Sequence, residues 1–234
     1  MIQKLNVTSL SKQVYDYLLE QMNSGVFLPG STINVSKFSE QLGVSKTPLR
    51  DALIHLELEG FVTILPRRGV RVNVLTLRDV KNAYELIGSL EATVVLNCFD
   101  QIGKEHIAKL EELNAKMLEQ IEADNFECYF KSNLAFHNVF MDLSDNNLIK
   151  KAILPVKQRL YEFPTNVYIS EWEKGNCGEH QQFIDCLKKN DPEGAASVLK
   201  DIHWSYEVQK DFILQFHTLR GEMTDQGQAG QEQA

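Results

Sequence analysis

Apolar residues recur with helical spacing along most of the chain, and one short stretch alternates instead. Leu10, Val14, Leu18 and Met22 repeat every four residues and predict a helix over about 11–24, stopped by Gly25. Val26 to Gly30 reads as a turn. Phe38 and Leu42 then mark a short helix. Leu49, Leu53 and Leu56 mark one face of a second, joined to the first at Gly43-Val44-Ser45. Ser45 is placed to cap this second helix, and Pro48 falls in its first turn, where a missing N–H costs nothing. Alternation over 61–65 and 70–74 predicts two strands around Pro66-Arg67-Arg68-Gly69.

From Thr76 onward the period is helical throughout. Thr76 and Asp79 stand close to a capping box, which places a domain boundary at Leu75-Thr76. Helices are predicted over about 77–99, 104–123, 126–143, 148–163, 178–189 and 192–218, with breaks at Gly103, Asp124-Asn125, 144–147, 164–175 and 190–192. Residues 221–234 are rich in Gln and Gly without apolar period and predict a disordered tail. The fold class is mainly α: residues 1–75 form a winged helix-turn-helix, and residues 76–220 an all-α antiparallel helix bundle.

The net charge of −8 is unevenly placed. Residues 1–75 hold eight Lys/Arg against six Asp/Glu, while the remainder holds sixteen against twenty-six. Basic charge is thus kept where the short helix pair lies, and the acidic part is repelled by phosphate. The four cysteines show no C-x-x-C spacing and are expected to be reduced. The first residues lack the charged region, apolar region and cleavage site of a signal peptide, and no run is long enough to span a membrane, so the protein is expected to be soluble and cytoplasmic.

The second short helix carries Lys46, Thr47 and Arg50 on its polar face. A helix, a tight turn and a cationic helix start form the helix-turn-helix pattern, whose second helix enters the major groove of double-stranded DNA. The following hairpin is placed as a wing. Arg67 and Arg68 at its tip can lie along phosphates, and Gly69 can let backbone approach a groove. Ser45, Lys46, Thr47, Arg50, Arg67, Arg68 and Gly69 are the candidate DNA-binding residues. Residues 9–74 resemble the winged-helix domain of GntR-type bacterial transcription regulators, through Ser24-Gly25-Val-Phe-Leu-Pro-Gly30, Leu42-Gly-Val-Ser-Lys-Thr-Pro-Leu-Arg-Asp-Ala-Leu53, Leu58-Glu-Gly-Phe-Val62 and Pro66-Arg-Arg-Gly69. The family usually has arginine at the place of Lys46, so lysine implies softer base discrimination there.

Three histidines stand on apolar helix faces: His137 with Phe130, Asn133, Phe140 and Met141; His180 with Phe183, Ile184 and Leu187; His203 with Ala196, Leu199 and Tyr206. His180 and His203 lie roughly 15 and 18 Å along their helices from the turn at Asn190-Asp191, so in an antiparallel pair they share one height. Asn133, one turn from His137, can supply a further ligand. Three imidazoles and an amide oxygen suit a first-row divalent metal such as Zn, Ni or Mn, with positions left open. Residues 77–218 resemble the FCD ligand-binding domain of the FadR branch, through Asn133-Leu-Ala-Phe-His137, Glu179-His180-Gln-Gln-Phe-Ile-Asp-Cys-Leu187, and Ala195-Ala196 leading to His203. That resemblance implies a metal on Asn133, His137, His180 and His203 that in turn holds a small carboxylate effector.

An arginine common in the first helix of that domain is Ile87 here, which leaves Arg159 as the best cationic candidate for the effector; a surface salt bridge is its other reading. Glu179 is expected to point off the far side of its helix from His180. The reading is a DNA-binding transcription regulator, a homodimer on an inverted-repeat operator, most often a repressor in this family. A metal-responsive regulator and a metal-dependent enzyme stand beside it as alternatives, although no H-E-x-x-H arrangement is present.

Overall fold

The computed structural model describes residues 9–161 and 168–231. The chain divides into two compact units, with the boundary between Leu75 and Thr76.

The first unit opens with α1 (Leu10–Asn23), capped by the Ser9 hydroxyl, which accepts the Lys12 N–H. Its four-residue stripe buries Val14, Leu18 and Met22 as the spacing predicted. A two-residue strand, β1 (Thr32–Ile33), follows, and Asn34 caps α2 (Val35–Leu42) by accepting from the N–H groups of Ser36 and Lys37 at 3.1 Å each. In α3 (Lys46–Leu58) the buried face is Leu49, Ala52, Leu53 and Leu56. Ser45 occupies its N-cap position, but the hydroxyl makes no capping hydrogen bond. The wing is β2 (Val62–Leu65) with β3 (Gly69–Val72), shorter than the alternation predicted. The antiparallel sheet runs β1-β3-β2. The first of these strands was not legible in the sequence, because two residues carry no alternation.

Gly69 has a structural reason to be glycine. Its φ is +94°, and a Cβ there would lie 2.8 Å from the Ile33 carbonyl oxygen of β1. Closure of the sheet alone therefore demands glycine at this position.

The second unit begins with α4 (Leu77–Cys98), started by a full capping box: Thr76 Oγ1 accepts the Asp79 N–H at 3.1 Å, and Asp79 Oδ2 accepts the Thr76 N–H at 3.0 Å. After a short 3₁₀ turn come α5 (Lys104–Glu122), α6 (Phe126–Met141) and α7 (Asn147–Tyr161). Next are α8 (Ser170–Lys188) and α9 (Pro192–Ser197), the latter capped by Asp191 with Pro192 in its first turn. Phe136, Phe140, Tyr129, Phe183 and Ile184 are among the side chains closing the core.

Three features differ from the sequence reading. α8 starts at Ser170, not near 178, because Glu173 and Cys177 continue the buried stripe of His180, Ile184 and Leu187. Gly175 and Gly178 face open space on the other side. The break expected over 164–175 is therefore shorter, and its first part lies outside the described residues. The last helix is not continuous. α9 passes into a π-helical turn (Val198–His203), where the Trp204 N–H reaches back five residues to the Leu199 carbonyl at 2.9 Å. His203 and Trp204, at the end of this turn, are both buried. Finally, α10 (Tyr206–Gln231) carries its backbone into the stretch predicted to be a disordered tail. Residues 232–234 lie outside the described part.

Candidate functional site

His137 on α6, His180 on α8 and His203 at the end of the π-turn converge. Ring centroids are 5.3 Å apart for His137–His180, 5.2 Å for His137–His203 and 4.8 Å for His180–His203. One nitrogen from each lies within 4.8 Å of the others, and all three rings are buried. His180 stacks on Phe136 at 4.1 Å. Asn133, four residues before His137, is buried as well, and its Oδ1 has no hydrogen-bond partner among the described residues. His137 Nε2 and both nitrogens of His180 are likewise without one.

The outward nitrogens of two rings are oriented by carboxylates. Glu91 on α4 lies with Oε2 3.0 Å from His137 Nδ1, and Glu179 on α8 with Oε2 2.8 Å from His203 Nδ1. Such bonds fix the ring and the tautomer, leaving Nε2 as the ligand atom. Glu179 thus does not point away from the site, as expected from its neighbour His180. The α8 face turns it across to the π-turn. Its other oxygen accepts from Gln209 Nε2 at 2.7 Å, and Gln209 Oε1 accepts from Trp172 Nε1 at 2.8 Å.

Glu91 is fully buried and also takes the Trp204 Nε1–H at 2.8 Å and the ammonium of Lys157 on α7. Gly88, one turn earlier on α4, makes room: a Cβ there would meet Trp204 Cβ at 2.8 Å. Burial alone would raise the Glu91 carboxyl. The charges and hydrogen bonds of His137 and Lys157 outweigh it and hold the group below the ordinary carboxylate range. Burial pushes His137 down to about 4, only partly opposed by Glu91. Burial, with the neighbouring His203, His137 and Lys157, lowers His180 well below its usual value. The consistent state at neutral pH is a Glu91 carboxylate beside neutral His137 and His180 rings.

These residues fit a divalent transition metal. Neutral imidazoles with carboxylate-oriented rings are a donor set such ions take, and the orphaned amide oxygen and ring nitrogens are otherwise costly to bury. Arg159, the sequence-based cationic candidate, is partly buried, with Nε unpartnered among the described residues and Asp79 as its neighbouring opposite charge. Lys157, two residues earlier, is the cation that reaches the Glu91–His137 pair. On a helix, two residues are roughly 200° of rotation, so both cannot face the same neighbour.

In the first unit, Ser45, Lys46, Thr47 and Arg50 are exposed at the start of α3, and Arg67 and Arg68 at the wing tip. Arg67 adopts φ +63°, tightening the turn. The wing is tied to α3 by Glu57, whose Oε1 accepts the Ile64 N–H at 2.7 Å. Asn73 secures its base, donating to the Gly60 carbonyl at 2.9 Å. Exposed Arg71 on β3 adds a basic group that motif reasoning passed over.

Two family models match these two units: "Bacterial regulatory proteins, gntR family" over residues 10–72, and "FCD domain" over residues 82–203. The chain belongs to the GntR family, with an FCD domain. It is 29% identical over 205 residues to the Nta operon transcriptional regulator of Aminobacter aminovorans, covering 85% of this chain and 91% of that one. To the regulator McbR of Escherichia coli it is 25% identical over 206 residues, covering 85% and 91%. A solved structure of E. coli McbR/YncC shares the fold, with a TM-score of 0.68 at 21% identity, over 91% of this chain and 99% of that one.

This GntR-family protein is thus a DNA-binding transcription regulator with an effector-binding FCD domain, and its relatives are regulators, not enzymes. No helix among the described residues is long and apolar enough to cross a membrane. Sequence reasoning missed Glu91, Lys157, Gln209 and Trp204. A buried Glu or Lys has the same letter as a solvated one, and the signal available was only that Glu91 follows Ile87 and Gly88 on the inward face of α4.

Proposed function

We propose that the C-terminal domain holds a divalent transition metal (Zn, Ni or Mn) on Asn133, His137, His180 and His203, and that a small carboxylate metabolite joins it as an extra ligand. When bound, the metal supplies positive charge that draws in the effector's carboxylate. Glu91 and Glu179 orient the imidazoles, and Phe136 and Trp204 keep water from the rings. The observation that carries this reading is the convergence of three buried histidines, with His137 Nε2, both His180 nitrogens and Asn133 Oδ1 unpartnered among the described residues.

Operator contacts come from Ser45, Lys46, Thr47 and Arg50 in the groove and from Arg67 and Arg68 on phosphates. Gly69 serves chiefly by letting the wing close. The protein acts as a repressor, and as a homodimer on an inverted repeat, two-fold symmetry requiring matching half-sites. Effector binding shifts operator affinity through a difference in binding energy between two states. The deciding experiment is elemental and small-molecule mass spectrometry of the purified protein, followed by operator titrations with metal and metabolite added separately and together. Bound transition metal and release by metabolite are expected. Release by metal alone would make it a metal-responsive regulator, and a protein free of transition metal in every preparation would end the proposal.

A further inference from the structure

We propose that Glu57 is a positioning residue of the reading head: from α3 it holds the outer edge of the wing, and so sets where Arg67 and Arg68 meet phosphate. This rests on the wing reading above.

The two edges of the hairpin are held by different means. β3 is paired with β1, Thr32 opposite Arg71 and Ile33 opposite Val70. β2 is an edge strand among the described residues. Its register sets Val62 opposite Val72 and Leu65 opposite Gly69, and the Asn73 N–H reaches the Phe61 carbonyl at 2.9 Å. Antiparallel ladders alternate, so Phe61, Thr63 and Leu65 bond inward to β3 while the Ile64 N–H points off the edge. Glu57 Oε1 accepts that N–H at 2.7 Å, the length of a charge-assisted bond. Ile64 precedes Leu65, whose partner Gly69 closes the ladder below the tip. The bond therefore acts near the tip, beyond the root, where Asn73 donates to the Gly60 carbonyl and accepts the Thr63 hydroxyl at 2.6 Å.

Glu57 also continues the face of α3 that carries Arg50. Arg50, Ile54 and Glu57 are all exposed, and two helical turns, roughly 10 Å along the axis, separate the arginine from the glutamate. Leu49, Ala52, Leu53 and Leu56 fill the buried side. An acid on a face turned to phosphate is unfavourable: by charge alone it repels DNA, and its removal tightens binding. As the anchor of the wing it does the reverse. The two roles predict opposite signs for one substitution.

The test titrates the full-length protein, by anisotropy at several salt concentrations, with a random-sequence duplex and with a duplex selected from a random pool by the wild type. Glu57→Ala is expected to weaken both duplexes about three- to tenfold, the scale of one lost hydrogen bond. Its salt slope should fall toward that of the double variant Arg67→Ala/Arg68→Ala, by up to about two units for two phosphates. The ratio of selected to random affinity should be kept, because α3 still reads bases. Glu57→Gln keeps the acceptor without the charge and should restore the wild-type slope. Glu57→Met keeps the helix-forming bulk without a comparable acceptor and should repeat the alanine result. Hydrogen exchange at the Ile64 amide of the free protein should accelerate in the alanine and methionine variants and not in glutamine. Partial unfolding would lower the active fraction without altering the slope. Tighter binding in Glu57→Ala and Glu57→Met, an unaltered slope in both, or failure of glutamine to restore it would each overturn the role of Glu57. A slope unaltered in the double arginine variant would remove the wing reading and this one together; a slope that depends on the arginines but not on Glu57 would remove only this one.

Discussion

Glu179 and His203 are joined across the bundle, Oε2 to Nδ1 at 2.8 Å, although the glutamate directly precedes His180 in the chain. One dipeptide on α8 therefore supplies a candidate metal ligand and the carboxylate that orients a different one. Gln209 extends this link into α10.

Loss of that orienting carboxylate should weaken the metal without abolishing it. Glu179→Ala is expected to reduce metal affinity about 10- to 100-fold, with Gln209→Ala having a smaller effect in the same direction. Calorimetric metal titration of apo-protein measures both, and an unchanged affinity in Glu179→Ala would show that His203 is not a ligand through Nε2.

Asn133 sets the charge of the site. Asn133→Asp adds a negative ligand, so it should hold metal more tightly and respond less to a carboxylate effector. His180→Ala or His203→Ala should lose both. Metal and anion binding are reciprocally coupled if the anion supplies the missing charge. Equal metal affinity with and without effector, in wild type and Asn133→Asp alike, would refute that coupling.

Glu173 offers a stability measurement at a residue outside the proposed ligand set, although His203 is among the groups that act on its carboxyl. It is buried on α8, accepting from the Tyr129 hydroxyl and from Asn176 Nδ2 at 2.9 Å. Burial raises its carboxyl above the ordinary range, only partly opposed by the Tyr129 and Asn176 bonds. A carboxyl whose folded value is raised contributes stability that is fully present below the unfolded value, near 4.5, and is lost as pH rises through the folded one. Glu173→Gln keeps an acceptor for both donors and cannot ionise. Its melting temperature should exceed that of wild type increasingly as pH rises through that window, as thermal scans over a pH series would reveal.

The reading head divides into base and phosphate contacts. Arg50→Ala should abolish specific operator binding while helix content is kept. Lys46→Ala should cost about 1–3 kcal/mol at one base pair if its contact is bidentate. Arg67→Ala and Arg68→Ala should weaken all sequences alike and flatten the salt dependence. Anisotropy titrations at several salt concentrations separate the two classes, and an unaltered salt slope in both wing variants would remove the wing from the interface.

Gly69→Ala distinguishes wing architecture from groove approach. The added Cβ would stand 2.8 Å from the Ile33 carbonyl at φ +94°, so a loss of order 1–3 kcal/mol in domain stability is expected before any DNA is added. Chemical denaturation of the free protein reads this directly. Full stability together with lost operator binding would place the requirement in the groove instead.

Local signals carried much of this protein. The four-residue stripe of α1, the Leu49-Leu53-Leu56 face, the Thr76–Asp79 box and the Asp191-Pro192 start all depend on neighbours within a turn or two, and each stood in the sequence. The common height of His180 and His203 was also legible, since it needs only a rise per residue and one antiparallel turn. Tertiary structure decided what those histidines face. Glu91 meets His137 across 46 residues and Trp204 across 113, and Lys157 rather than Arg159 closes the pair. No period in the chain marks a charge as buried. That follows from how α4, α6 and α7 pack together, and from the close approach of Trp204 and the π-turn to α4 at Gly88. Strand β1 is the same lesson in small: Thr32 and Ile33 have no pattern of their own and become a strand only because β3 lies beside them.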